Sequence, residues 1–140
     1  MQPDINYLAV LVAGVINMVL GALWYGPLFG KSWMAMMGYT PESMAAKKKG
    51  MGVRYLVTFI GSLIIAYVLD HGLIFGNAYL KMSGVSAGLM GAFWYWLGFL
   101  AVPMLGCVLW EGKSIKFYAI NAGYYLVSLL CMGALLSAWL

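Results

Sequence analysis

The chain has 140 residues, of which 64% are hydrophobic and 9% charged, and its mean hydropathy is +0.90. Soluble domains carry about 25% charged residues, so a water-soluble globule is excluded, and the length leaves room for one bundle and no second domain. A net charge of +4 in a soluble protein would suggest an acidic partner; here the charges are sorted by position, so no nucleic acid is expected and the charge speaks to topology.

No charged side chain occurs from Ile5 to Gly30, Tyr55 to Leu69, Met82 to Trp110 or Phe117 to Leu140. About 20 mostly apolar residues cross a bilayer core of roughly 30 Å as a helix. Three stretches reach that length outright; the second does so if it starts near Val53 and carries Asp70 and His71 into the far interface. The sequence therefore predicts an all-α integral membrane bundle of four transmembrane helices, over residues 5–29, 53–72, 85–110 and 115–139 of a single domain spanning 1–140. A short interfacial or cytoplasmic helical segment joins helices one and two.

In chain order, Pro27 removes a backbone donor and should loosen the end of the first helix. Thr40-Pro41-Glu42 is a helix-start signal, with Thr40 as N-cap and Pro41 in the first helical position. A polar helix from Pro41 to about Lys49 leads into the second span, and Leu73 to Ser83 forms a short outer loop. Pro103 predicts a kink in the third span, and Glu111 to Ser114 a tight turn into the fourth. Matching pieces in the two halves, Gly30-Lys31-Ser32 with Gly112-Lys113-Ser114 and Tyr55-Leu56-Val57-Thr58 with Tyr125-Leu126-Val127-Ser128, are what a tandem duplication would leave.

Lys31, Lys47, Lys48, Lys49 and Arg54 sit in the first loop and Lys113 and Lys116 in the third, against Lys81 alone in the second. The positive-inside rule puts loops one and three in the cytoplasm and both termini outside, in the cytoplasmic (inner) membrane, with the lipid bilayer as partner. The N-terminal residues have no basic n-region and no small-residue cleavage site follows, so the first helix is expected to stay in place. Cys107 and Cys131 read as small buried apolar residues inside spans.

Membrane helices associate through close backbone approach and polar contacts. Each span carries a suitable row: Ala9, Ala13, Asn17 and Gly21; Thr58, Ser62, Ala66 and Asp70; Gly84, Gly88, Ala92 and Trp96; Asn121, Tyr124, Ser128 and Cys131. So thin a bundle leaves rows such as Gly84 to Ala92 short of partners, which predicts a homo-oligomer, with a dimer favoured.

The candidate polar or ligand-lining residues are Asn17, Trp24, Tyr25, Asp70, His71, Trp94, Trp96 and Asn121. Asn17 and Asn121 are side-chain amides in apolar surroundings that need partners, and a structural clamp explains them as well as a ligand does. Asp70-His71 is the sole ionisable pair near a span. A charge inside the bilayer costs several kcal/mol unless paired or wetted, which makes it a functional candidate, while a helix end in the outer headgroup region is the plainer account. Neighbouring helical residues point about 100° apart, so the two side chains would not share one pocket. Trp24-Tyr25 suits an interfacial belt. Trp94-Tyr95-Trp96 lies deeper, where it packs helices or lines a cleft. With one His and no second acid at ligand spacing, no metal site is expected. No catalytic residues and no cofactor are expected either, because nucleotide, hydrolase and metalloprotease motifs are missing.

The run from Gly21 to Trp33 (GALWYGPLFGKSW), then Gly38 to Glu42 (GYTPE), resembles the family catalogued as domain of unknown function 1761, small and mainly bacterial membrane proteins. Tyr55 to Leu69 (YLVTFIGSLIIAYVL) also fits, so the resemblance covers essentially the whole chain. It carries no activity, substrate or cofactor. It implies that Trp24, Tyr25, Pro27, Gly30, Lys31 and Trp33 form the defining element, and the physical reading has that element turn the chain at the cytoplasmic interface.

Of the function classes that remain, a small oligomeric transport or permeation protein is preferred. A membrane-embedded lipid- or hydrophobic-ligand-binding protein or enzyme, and a structural membrane subunit, are the alternatives. A polar passage would favour the first and a cleft open sideways to lipid the second.

Overall fold

Asn6 opens the first helix because its short side chain can replace a missing helical acceptor; its Oδ1 takes the backbone N–H of Ala9 at 3.1 Å. A computed structural model describes residues 3–139, and the ends of the expected domain, residues 1–2 and 140, lie outside it. The described residues form helices and turns without a strand. We label the helices α1 (Tyr7–Leu28), α2 (Gly30–Met37), α3 (Pro41–Ala46), α4 (Met51–Leu80), α5 (Gly84–Leu109) and α6 (Ile115–Ala138). Four of them, α1, α4, α5 and α6, are long and apolar enough to cross a membrane, and the chain is a four-helix transmembrane bundle. The basic residues of the first and third connections gather at one end, here called the basic end; Asp4, Lys81 and Trp139 mark the other, the terminal end.

Both internal prolines accompany a π turn, Pro27 within one and Pro103 just after another. Pro27 has no N–H for the preceding turn, and over Trp24–Leu28 the helix widens so that the N–H of Phe29 donates to the Trp24 carbonyl at 2.8 Å. In α5 the widened turn spans Leu97–Ala101, just before Pro103. There the N–H of Leu105 turns to Val102 at 3.1 Å, and the Ala101 carbonyl instead accepts the Tyr118 hydroxyl of α6 at 2.8 Å. Between the first two spans, Thr40 caps α3 with Pro41 in its first turn. The capping box closes through Ser43, whose N–H donates to Thr40 Oγ1 at 3.1 Å while its Oγ accepts the Thr40 N–H at 2.8 Å.

α4 departs from its expected bounds. The predicted span stopped at Gly72 with a loop over Leu73 to Ser83, but the helix continues unbroken to Leu80 and ends at Lys81 in a left-handed conformation, φ +53°. Gly72 and Gly76 weaken a helix in water, yet in lipid an unpaired backbone costs several kcal/mol, so the helix persists through them.

α6 is the most enclosed helix and lies along α5 and α1; α1 also packs on α4, and α4 touches α5 and α6 more lightly. The α5–α6 contact is backbone against backbone. A Cβ at Gly133 would stand 2.6 Å from the Gly88 carbonyl oxygen and 2.8 Å from the Ala92 Cβ, so only glycine fits. The row Gly84–Gly88–Ala92, expected to lack a partner, therefore has one within its own chain. Ala9, Val10, Ala13, Ala66, Leu69, Leu73, Leu129, Met132 and Leu136 fill the centre, while Leu11, Val15, Val19, Val57, Ile64, Val68 and Phe99 face outward, as lipid requires. Cys131 is exposed and Cys107 half-buried, so neither is the buried residue the sequence suggested. The two proposed repeat matches do not take equivalent places: Thr58 is exposed where Ser128 is fully buried. Gly30 starts a helix, whereas Gly112 sits in a turn.

Candidate functional site

The small-residue rows of α1, α4 and α6 converge on one polar knot around Asn17. Its Nδ2 donates to Ser62 Oγ on α4 at 2.6 Å. Its Oδ1 accepts the Tyr124 hydroxyl at 2.8 Å and the Ser128 hydroxyl, both from α6. The Ser62 hydroxyl passes its own proton to the Thr58 carbonyl at 2.9 Å. The Oδ1 is filled by two donors and the Nδ2 has its partner, so Asn17, only 4% exposed, is a clamp across three helices. Gly21 leaves room for the Tyr124 hydroxyl, 3.1 Å from where a Cβ would be.

Asp70 is built quite differently. Its side chain is 1% exposed, and its Oδ2 has no hydrogen-bond partner. The extension of α4 to Leu80 places it about 16 Å along the helix from Lys81 and about 24 Å from Arg54, at 1.5 Å per residue. Those two cations stand about 40 Å apart along α4, the full thickness of a bilayer with its interfaces. Asp70 thus lies within α4 and not at its end, and the expectation that the helix stops just beyond it is corrected by the two further helical turns up to Leu80. His71, one residue on, faces elsewhere, as the 100° step requires. Its Nδ1 sits 2.9 Å from the Tyr67 carbonyl, its ring leans on the Tyr67 ring with centroids 4.2 Å apart, and it lines a cleft on the outer surface between α4 and α5.

Two cavities with polar linings flank the level of Asp70. At the terminal end, one of about 840 Å³ is lined by Asp4, Asn6, Asn77, Ser83 and Ser137 among others; Asn77 Nδ2 donates to Ser137 Oγ at 2.8 Å on its wall. Toward the basic end, one of about 700 Å³ runs from Gly26 and Tyr55 up to Asn17 and Ser62. Between them Asp70 borders neither cavity and is buried in the bundle whose apolar core contains Ala66, Leu69, Leu73 and Leu136.

The aromatic candidates separate. Trp96 donates its indole N–H to the Ala122 carbonyl at 2.8 Å and ties α5 to α6. Trp94 is 63% exposed on the lipid face. Neither lines the cleft beside His71; Tyr95, between them, does. Trp24 donates to the Ile120 carbonyl at 2.9 Å, and the Tyr25 hydroxyl donates to Asn121 Oδ1 at 2.6 Å. These side chains and Asn121 fasten α1 to α6 near the basic end, so Trp24-Tyr25 is more than an interfacial belt. Asn77 and Ser137 were not singled out from the sequence, and Tyr95 entered only as the middle of the Trp94-Tyr95-Trp96 cluster. Asn77 fell in the segment read as a loop, where an asparagine needs no explanation; an unbroken helix through Gly76 was the missing signal.

The profile of a family described as "Protein of unknown function (DUF1761)" matches residues 8–137. The chain belongs to the DUF1761 family. No curated protein and no solved structure matches it. In this DUF1761 chain the segment from Trp24 to Trp33 has a physical account. Pro27 widens the turn, Trp24 and Tyr25 pin it to α6, and Gly30 lets the chain pass under the Tyr25 carbonyl, 2.6 Å from where a Cβ would stand. Trp33 closes edge-on against both Tyr25 and Tyr39, at 5.5 Å each. The segment is a clasp that turns the chain from α1 into α2 at the basic end.

Proposed function

We propose that this chain is a small transport protein that carries protons across the cytoplasmic membrane, with Asp70 as the carrier group. The supporting observation is the buried Asp70 side chain, with a carboxyl oxygen that has no partner, between two cavities that carry polar groups in their walls. An intramembrane ionisable residue is costly, by several kcal/mol when charged and unpaired, and nothing in the packing of the bundle requires one. A metal ion would need several oxygen or nitrogen ligands. Among the described residues there is no group of three or more His, Cys, Asp or Glu side chains that would supply them, whereas a proton needs one carboxylate. Because Asp70 borders neither cavity, the cycle is that of a carrier: protonation neutralises the group, and a shift of α4 exposes it to one cavity and then the other. The π turns of α1 and α5 supply the deformable points. The basic end lies in the cytoplasm by the positive-inside rule, and the working unit is a homo-oligomer, with a dimer favoured, because four helices enclose so little space.

The test is proton flux in vesicles reconstituted with the purified protein, driven by an imposed potential and read by an internal pH dye. Flux above that of empty vesicles, abolished in Asp70→Asn with folding and oligomeric state unchanged, supports the proposal. Wild-type vesicles no leakier than empty ones, or an Asp70→Asn variant that conducts normally, overturns it.

A further inference from the structure

A second site lies on the outside of the bundle and has no part in the carrier cycle. Between α4 and α5 runs a cleft of about 580 Å³ lined by Ile64, Ile65, Val68, Leu69, Gly72, Phe99, Leu100 and Leu129 together with His71 and Tyr95. Its walls are apolar except for the tips of the last two. Gly72 makes the cleft possible: the Tyr95 hydroxyl lies where a Cβ on residue 72 would have to be. Tyr95 and Phe99 stack nearly parallel, 20° between planes and 6.2 Å between centroids, and give the cleft an aromatic side.

His71 defines what the cleft can recognise. The Tyr67 carbonyl only accepts, so at 2.9 Å the Nδ1 must be the protonated nitrogen. In the neutral ring Nε2 then keeps a free lone pair and acts as an acceptor. An acceptor in an apolar cleft calls for a ligand that donates a hydrogen bond and is otherwise apolar. The lining narrows the class further. Among the described residues, no charged side chain other than the His71 imidazole borders the cleft, so a phosphate headgroup has no counter-charge of its own there, whereas a molecule whose single polar group is a hydroxyl on an apolar body matches both the acceptor and the walls.

We propose that the α4–α5 cleft binds a lipid phenol or quinol, with its ring against Tyr95 and Phe99 and its hydroxyl donating to Nε2 of His71. The ligand enters sideways from the bilayer.

The test is equilibrium binding of 4-dodecylphenol and of 4-dodecylanisole to the full-length protein in lipid nanodiscs. The two probes share shape and chain, and only the phenol donates. The phenol should bind about tenfold more tightly, the factor one hydrogen bond supplies. His71→Phe should reduce the phenol to the anisole's affinity, and Gly72→Leu should weaken both. Equal affinity of the two probes for the wild-type protein overturns the proposal without any variant having to fold. An unchanged phenol preference in a folded His71→Phe variant also overturns it. Proton flux is not part of the readout, so failure here leaves the carrier reading untouched, and the reverse holds too.

Discussion

The amide of Asn17 on α1 donates to the hydroxyl of Ser62 on α4 across 2.6 Å, forty-five positions apart in sequence. With Tyr124 and Ser128 on the other side of the same amide, this bond joins three spans at one point. Interhelical hydrogen bonds in membranes average only about 0.6 kcal/mol, but removing the Asn17 amide leaves the buried Ser128 hydroxyl without its partner, while Ser62 keeps the Thr58 carbonyl and Tyr124 the backbone carbonyl of residue 17. Asn17→Ala should therefore destabilise by about 2 kcal/mol, since each orphaned buried group costs about 1–3 kcal/mol before relaxation. Unfolding by denaturant in mild detergent measures it. A loss below about 0.5 kcal/mol would mean that Asn17 is not the clamp.

Gly88 and Gly133 make the tightest backbone contact in the molecule's α5–α6 pair. Gly88→Leu should prevent the two helices from closing and leave little folded protein. Gly76→Ala, at a position with open space around it, should hold or gain up to about 1 kcal/mol from helix propensity. Thermal unfolding of the two variants, side by side, gives the comparison. Similar behaviour in both would contradict the intramolecular packing.

Asp70 leaves a buried oxygen without a partner, so its replacement by an apolar side chain of similar size should relieve the bundle. Asp70→Leu is expected to raise the melting temperature while flux disappears, the opposite directions expected when a costly group is kept for function. A lower melting temperature would show that the carboxyl holds the fold together.

Orientation can be read with a thiol reagent that does not cross membranes. A cysteine added after Leu140 should be labelled from outside intact cells and a cysteine at Ser43 should not, with native Cys107 and Cys131 replaced first. Labelling at Ser43 alone would invert the topology.

The four spans were legible in the uncharged stretches because lipid allows few alternatives to a helix of about 20 residues. Thr40 and the two prolines were legible because their chemistry is local. The end of the second span was not. Gly72, Gly76 and Asn77 are helix-weak residues in any local reading, and only the demand of the bilayer for paired backbone keeps them helical. That one misplaced boundary put Asn77 in a loop and made Asp70, although a candidate, look like the last turn of its helix. The rows of small residues showed which faces meet helices, but not which helix meets which. Gly88 meets Gly133 because the short connection at Glu111 to Ser114 makes α5 and α6 antiparallel neighbours.

α4 runs for 30 residues, about 45 Å, and is longer than any of its neighbours. A hydrocarbon layer of about 30 Å cannot cover that length upright, and hydrophobic mismatch is met by tilting. The tilt of α4 sets how far Asp70 stands from each water face. Membrane thickness is therefore an input to this bundle: longer acyl chains favour a more upright α4 and shorter ones a more inclined one.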